Sequence, residues 1–283
     1  CESDDGHPRT MSGTNLPGRI ETTLRAVRDS GRKCLVPYIT GGLGDDWLAS
    51  LAAVIDGGAD ACEIGIPFSD PVMDGPIIQQ ANEIALASGA TPVSIAGDLR
   101  DFESPIPLAT MTYYNIVYRM GHERFANMLN EAGISGTILP DIQMDESADW
   151  IEAANKHGIE NVLFAAPTSP DDRLARTGQL ASGFVYAVGL LGITGERKEL
   201  AASAIDIARR AKEHTDLPVL VGVGIGSPEQ AVEACSVADG VIIGSTVVRR
   251  LVGGLETGTN GADAVRDLIA EYRAALDTAF PGN

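Results

Sequence analysis

Eight times along this chain a short, continuous apolar run is followed by at least one segment with helical spacing, and that repetition limits the fold more than any other feature. The runs fall at 34–40, 61–67, 106–115, 136–142, 161–166, 184–188, 217–223 and 240–243. Most are apolar throughout rather than alternating, the pattern of strands buried on both faces in a parallel sheet covered by helices. The intervening segments carry their own boundary signals. Asp45 or Asp46 is placed to cap a helix over 46–55 that stops at Gly57 and Gly58, and Ser227 stands ahead of Pro228, a capping residue followed by proline at the first helical position. Further helices are predicted over 76–87, 92–102, 122–132, 146–156, 171–180, 200–214 and 261–280, with another opening at Ser245. Ile20, Leu24 and Val27 give one more ahead of the first run. Eight such units specify an α/β chain folded as a (β/α)8 TIM barrel with an extra N-terminal helix, and 283 residues suit that fold, which typically needs about 250. A doubly wound sheet is the alternative, although it usually stops at five or six strands.

No linker interrupts the pattern, so 17–283 reads as a single barrel domain. Residues 1–16 are polar and contain Gly, Pro and Ser; they read as a disordered N-terminal extension, with Met11 an alternative start. The formal charge of −18 argues against nucleic acid as a partner, since phosphate neutralisation needs clustered Lys and Arg. An anionic ligand would have to be held by local dipoles against the overall field. Cys1, Cys34, Cys62 and Cys235 lie far apart with no C-x-x-C spacing, and the last three read as small buried hydrophobes rather than disulfide or metal ligands. No apolar run approaches the roughly 18 residues of a membrane span and the polar N-terminus is not a signal peptide, so a cytoplasmic protein with no membrane partner is expected.

In such a barrel, chemistry sits at the C-terminal ends of the strands and in the loops beyond them. Glu63 is an acid inside an otherwise apolar strand, where an isolated charge is too costly to keep unless it is paired, protonated or functional. The loop that follows adds Asp70 and Asp74. Other strand ends supply Tyr38 and Thr40, then Thr112, Tyr113, Tyr114 and Asn115, then Asp141, then Tyr186. None of His7, His122, His157 and His214 falls on a strand end, which sets aside a His-based triad or a His-rich metal site. A phosphate site is suggested by Gly222, Gly224 and Gly226 after the seventh run and by Gly244 and Ser245 after the eighth, each before a helix, with Gly192 to Gly195 adding possible donors after the sixth. Taken singly these features have plainer readings: the glycines as turns, Asp70 and Asp74 as caps, and the tyrosines as core aromatics with a wet hydroxyl.

The stretch Glu63-Ile-Gly-Ile-Pro-Phe-Ser-Asp-Pro-Val-Met-Asp-Gly-Pro76 closely resembles the signature of the tryptophan synthase α chain family, E-x-G-x-P-[FY]-S-D-P-x-x-D-G. Segments 112–115, 192–195, 221–225 and 240–245 match that family in the same order, and the likeness runs from about residue 18 to 275. The resemblance implies a lyase that cleaves indole-3-glycerol phosphate to indole and glyceraldehyde 3-phosphate in L-tryptophan biosynthesis. It implies no metal or organic cofactor in this chain, and a PLP-bearing β subunit as partner in an α2β2 assembly. By the same resemblance Glu63 is the general acid/base, and Asp74 accepts the indole N–H. Tyr186 lies near the glycerol phosphate, while Thr194 bonds the Asp74 loop when a lid closes. Gly195, Gly224, Gly244 and Ser245 hold the phosphate; Tyr38, Met111, Ile138 and Val223 line the indole pocket, and Tyr113 joins the substrate site. One departure is the lid segment 189–195, where Leu190 and Leu191 replace the usual small hydroxyl and basic residues. It keeps open a free-standing indole-producing lyase of a specialised pathway and, from another class, a weakly active regulatory subunit of the β chain.

Overall fold

The eight runs become eight parallel strands in a computed structural model that describes residues 16–189, 197–222, 224–259 and 261–283. They are β1 (Cys34–Thr40), β2 (Cys62–Gly65), β3 (Leu108–Met111), β4 (Gly136–Ile138), β5 (Glu160–Ala165), β6 (Val185–Ala187), β7 (Val219–Val221) and β8 (Gly240–Ile243). Each pairs with the next, and β8 returns to β1 through Cys34 opposite Gly240, so the sheet closes into a (β/α)8 barrel with no free edge.

Because side chains alternate along a strand, closure sorts them into two cores. Cys34, Val36, Ala109, Ile138, Val162, Tyr186, Leu220 and Ile242 pack together inside the barrel. Their neighbours Leu35, Ile39, Cys62, Ile64, Leu108, Val185, Val219, Val221, Val241 and Ile243 pack outward against the helices. Both faces are therefore apolar, which is why the runs do not alternate. Glu63 stands opposite Tyr38 on β1 and Ala109 on β3, so it belongs to the inward set.

The predicted N-terminal helix, Arg19–Asp29, plugs the barrel at the end opposite the expected site. Its Ile20 and Leu24 join the interior core. Gly18, at its N-cap, has no side chain to cap it; instead the Glu160 carboxylate at the start of β5 accepts the backbone N–H of Ile20 at 2.7 Å and of Glu21 at 2.9 Å. A Cβ on Gly18 would overlap that carboxyl, so glycine is required for the cap to form.

Local signals were read well where the partner is local. Asp46 caps Trp47–Asp56 through Ala49 N, and Ser227 caps Pro228–Cys235 through Gln230 N. The third strand is shorter than predicted: β3 stops at Met111, and Tyr114 and Asn115 begin a separate helix, Tyr114–Met120. The Asp141 carboxylate, from the loop after β4 rather than from the strand itself, accepts the Tyr114 N–H at 2.8 Å and starts that helix. Cys34, Cys62 and Cys235 are buried free thiols, as expected. Among the described residues no helix is long and apolar enough to cross a membrane. Apart from Leu16, the predicted extension over 1–16 lies outside the described residues.

Candidate active site

Glu63 projects from β2 into the barrel near its C-terminal mouth and is only 1% exposed. Its Oε1 has no hydrogen-bond partner among the described residues, and burial pushes its pKa up to about 8, so the carboxyl is protonated at neutral pH. Two buried tyrosines flank it. Tyr38 is its register neighbour on β1, and Tyr186 reaches in from β6, packed against Phe164 and Phe184 with ring centroids 5.0 and 6.1 Å away. Burial raises both phenols well above their ordinary range; the charges of Asp74 and Glu63 act on Tyr38, and those of Glu63 and Asp74 on Tyr186, in the same direction. Both rings cross positions where only glycine fits. A Cβ at Gly65 would overlap the Tyr38 hydroxyl, and one at Gly222 would overlap the Tyr186 hydroxyl. Gly222, expected in a phosphate loop, thus makes room for a tyrosine beside the acid.

Asp74 is delivered by the loop between β2 and the helix Pro76–Ala87. Side chains of described residues help fix that loop: Met73 N–H donates to the Tyr113 hydroxyl at 2.9 Å, Gln79 Nε2 donates to the Asp74 carbonyl at 2.8 Å, and Asn82 Nδ2 donates to Asp74 Oδ2 at 3.4 Å. Phe68 stacks on Tyr113 at 4.9 Å. Burial raises the Asp74 pKa to about 6, against hydrogen bonds from Tyr113 and Asn82 that lower it; burial also pushes Tyr113 up to about 12. At pH 7 Asp74 is therefore ionised while Glu63 is not. Two carboxyls with separated protonation states are what acid/base work with an ionised orienting group requires. Asp70 does not join them; it is exposed and accepts from Ser69 Oγ at 2.7 Å, in keeping with the plainer turn reading.

At the other side of the mouth, β8 runs through Gly244 into the helix Ser245–Thr257. With no side-chain cap among the described residues, that helix start can receive an anion with the helix dipole behind it. A Cβ on Gly244 would lie 3.7 Å from Tyr38 Cβ, so this helix start adjoins the wall of the carboxyl site. Gly224 adopts φ +87°, a conformation suited to glycine. A cleft of about 440 Å³ between the helices Pro76–Ala87 and Ser245–Thr257 is lined by Gly75, Gln80, Ser245 and Arg249 and links the Asp74 loop to Ser245. Ile138 is buried in the same interior core as Tyr186, and Met111 is half-buried at the end of β3. Thr194, Gly195 and Val223 lie outside the described residues.

The structure thus brings together Glu63, Asp74, Tyr38, Tyr113 and Tyr186, with Gly244 and Ser245 alongside. Sequence reasoning missed Asn82. Its signal was an amide at helical spacing from Ile78 and Ala85, on the face the helix buries.

Comparison with known proteins identifies the family. Residues 24–277 match the profile of the tryptophan synthase alpha chain. Tryptophan synthase alpha chains of Streptomyces avermitilis and Streptomyces coelicolor are 44% and 42% identical, over 89% of this chain and 92% and 94% of theirs. Among solved structures, tryptophan synthase subunit alpha from Legionella pneumophila superposes with a TM-score of 0.84 at 31% identity, covering 93% of this chain and all of that one (100%). A chain of Mycobacterium tuberculosis tryptophan synthase gives 0.83 at 34% identity over 92% of this chain and 99% of its own. Sharing the profile over most of its length, the identity of full-length relatives and the barrel itself, this chain belongs to the tryptophan synthase alpha chain family.

Proposed function

We propose that this chain is a carbon–carbon lyase of tryptophan biosynthesis that cleaves indole-3-glycerol phosphate to indole and glyceraldehyde 3-phosphate, with Glu63 and Asp74 as its catalytic pair. The observation that carries the reading is that two carboxyls of opposite protonation at pH 7, a buried acid at about 8 and a carboxylate at about 6, both act on Tyr38 and Tyr186. Protonated Glu63 gives its proton to indole C3, and positive charge develops on the ring nitrogen. Asp74, ionised, accepts the ring N–H and stabilises that charge. Glu63, now a carboxylate, takes the proton from the side-chain hydroxyl next to the ring. The bond between that carbon and C3 breaks, its electrons return to the ring, and the carbon becomes the aldehyde of the second product. Glu63 ends protonated, as it began. Each step is a proton transfer or a bond cleavage within the substrate, so the chemistry asks for no cofactor from this chain.

Tyr38, Ile138 and Met111 supply an apolar wall for the indole, with Tyr186 over the glycerol chain and Tyr113 holding the Asp74 loop. Gly224, Gly244 and Ser245, together with Gly195, take the phosphate through backbone N–H groups and the Ser245 hydroxyl, while Thr194 bonds the Asp74 loop. That mode suits a chain of net charge −18, because dipoles act locally where the overall field repels. A PLP-bearing β subunit is the proposed partner. Val72 and Met73, on the loop that carries Asp74, are 82% and 62% exposed, an apolar tip that a partner subunit would cover. A cytoplasmic setting fits this role.

The purified chain, given indole-3-glycerol phosphate without added metal or cofactor, should release indole and glyceraldehyde 3-phosphate in equal amounts, faster with a β subunit present. No release under either condition overturns the proposal.

A further inference from the structure

The helix Pro76–Ala87 buries Ile78, Ala81, Asn82 and Ala85, one amide among apolar side chains. Asn82 is 3% exposed, and its Oδ1 has no partner among the described residues. An amide buried with half its bonding capacity unmet destabilises a fold, and a leucine of similar size would avoid that cost. The one bond this side chain makes among the described residues runs back across two turns to Asp74 Oδ2 at 3.4 Å. Tyr113 and Gln79 also hold the loop, but the Tyr113 hydroxyl accepts the Met73 N–H as well as bonding the Asp74 carboxyl, and Gln79 reaches only the Asp74 carbonyl. Among the described residues, Asn82 is the side chain whose hydrogen bonding goes to the carboxyl and nowhere else.

We propose that Asn82 is a positioning residue for the lyase reaction: its amide N–H fixes one oxygen of Asp74, favours the carboxylate, and leaves the remaining lone pairs turned to the indole N–H. The proposal rests on the reading of Asp74 given above. A carboxylate has about four acceptor sites, so one donor steers it without filling it. The bond favours the charged form of Asp74, opposing the burial that disfavours it. The titratable groups around Asp74 are Tyr113, Tyr38 and Tyr186, all pushed upward and so neutral over the pH range of the assay, and Glu63, which shares those tyrosines.

The test is kcat/KM for indole-3-glycerol phosphate between pH 5.5 and 9 in wild type, Asn82→Leu, Asn82→Ala and Asp74→Asn. Loss of one charge-assisted donor should move the acidic limb up by about one pH unit. With limbs near 6 and 8 in wild type, that shift lowers kcat/KM about five-fold at pH 6 and leaves the value at pH 8 almost unchanged. A side chain that merely packs would lower the rate equally at every pH, or not at all, and either result overturns the proposal. Asn82→Ala, which only removes atoms, decides the matter if Asn82→Leu does not fold. A carbon-13 NMR titration of the Asp74 carboxyl in the same folded variants needs no turnover; its midpoint should rise, and an unchanged midpoint also overturns the proposal. If Asp74→Asn keeps full turnover, the reaction reading fails, while the titration still decides what Asn82 does to Asp74.

Discussion

Replacing Glu63 with glutamine should remove activity and raise stability together. The folded carboxyl has a pKa of about 8 against an ordinary value of 4.5 because burial disfavours its charged form. Between those values the folded chain binds a proton that the unfolded chain releases, so the stability that wild-type Glu63 allows is full below pH 4.5 and declines as pH rises through 8. Holding the acid protonated at pH 7 costs about 3 kcal/mol, and at pH 9, where both states are ionised, the cost levels off near about 5 kcal/mol. Glutamine has nearly the same shape, leaves one polar atom equally unpaired and carries no charge at any pH, so it escapes this cost. At pH 4 the two proteins should melt together. At pH 7 the variant should melt about 6 °C higher, given about 2 °C per kcal/mol for a chain of this size. Thermal unfolding followed by circular dichroism at pH 4, 7 and 9 reads the difference. A gap in melting temperature that does not grow with pH, or a variant less stable than wild type at pH 9, refutes the claim that Glu63 is a desolvated, protonated acid.

Other consequences follow from the same contacts. Gly222→Ala puts a Cβ into the Tyr186 hydroxyl, so kcat/KM should fall at least about ten-fold with the barrel still folded; an unchanged value means Tyr186 is not needed where it sits. Glu160→Ala removes two N–H acceptors from the N-terminal helix and should destabilise the fold by about 2 kcal/mol, with faster amide exchange at Ile20 and Glu21. Unchanged exchange there would show that the cap contributes nothing. Val72→Asp should weaken association with a β subunit, measured by ultracentrifugation, while indole release by the isolated chain persists.

What was readable in advance and what was not divides along the distance to the partner. The eight strands announced themselves because each is apolar on both faces, and Asp46 and Ser227 announced their helices because a cap bonds a group three residues away. Glu63 stood out through its cost alone. Tyr114 could not be seen as a helix start, since its capping carboxylate, Asp141, lies 27 residues further on. The cap on Ile20 comes from Glu160, 140 residues away, and a glycine at 222 explains itself only once closure brings Tyr186 over it. Asn82 was legible as an exception to an apolar stripe, but its purpose depends on a loop folding back onto the helix. Local chemistry fixes the elements; barrel closure decides which distant side chains share the site.

The most direct test of the central claim is indole release from indole-3-glycerol phosphate by wild type and Glu63→Gln at pH 7, with the β subunit present and folding checked by circular dichroism. A proton-transferring acid contributes about 10²–10⁴-fold, so the folded variant should lose at least about 100-fold in kcat. A folded Glu63→Gln protein that keeps more than about a tenth of wild-type turnover would contradict the assignment of Glu63 as the acid/base and, with it, the division of labour between the two carboxyls.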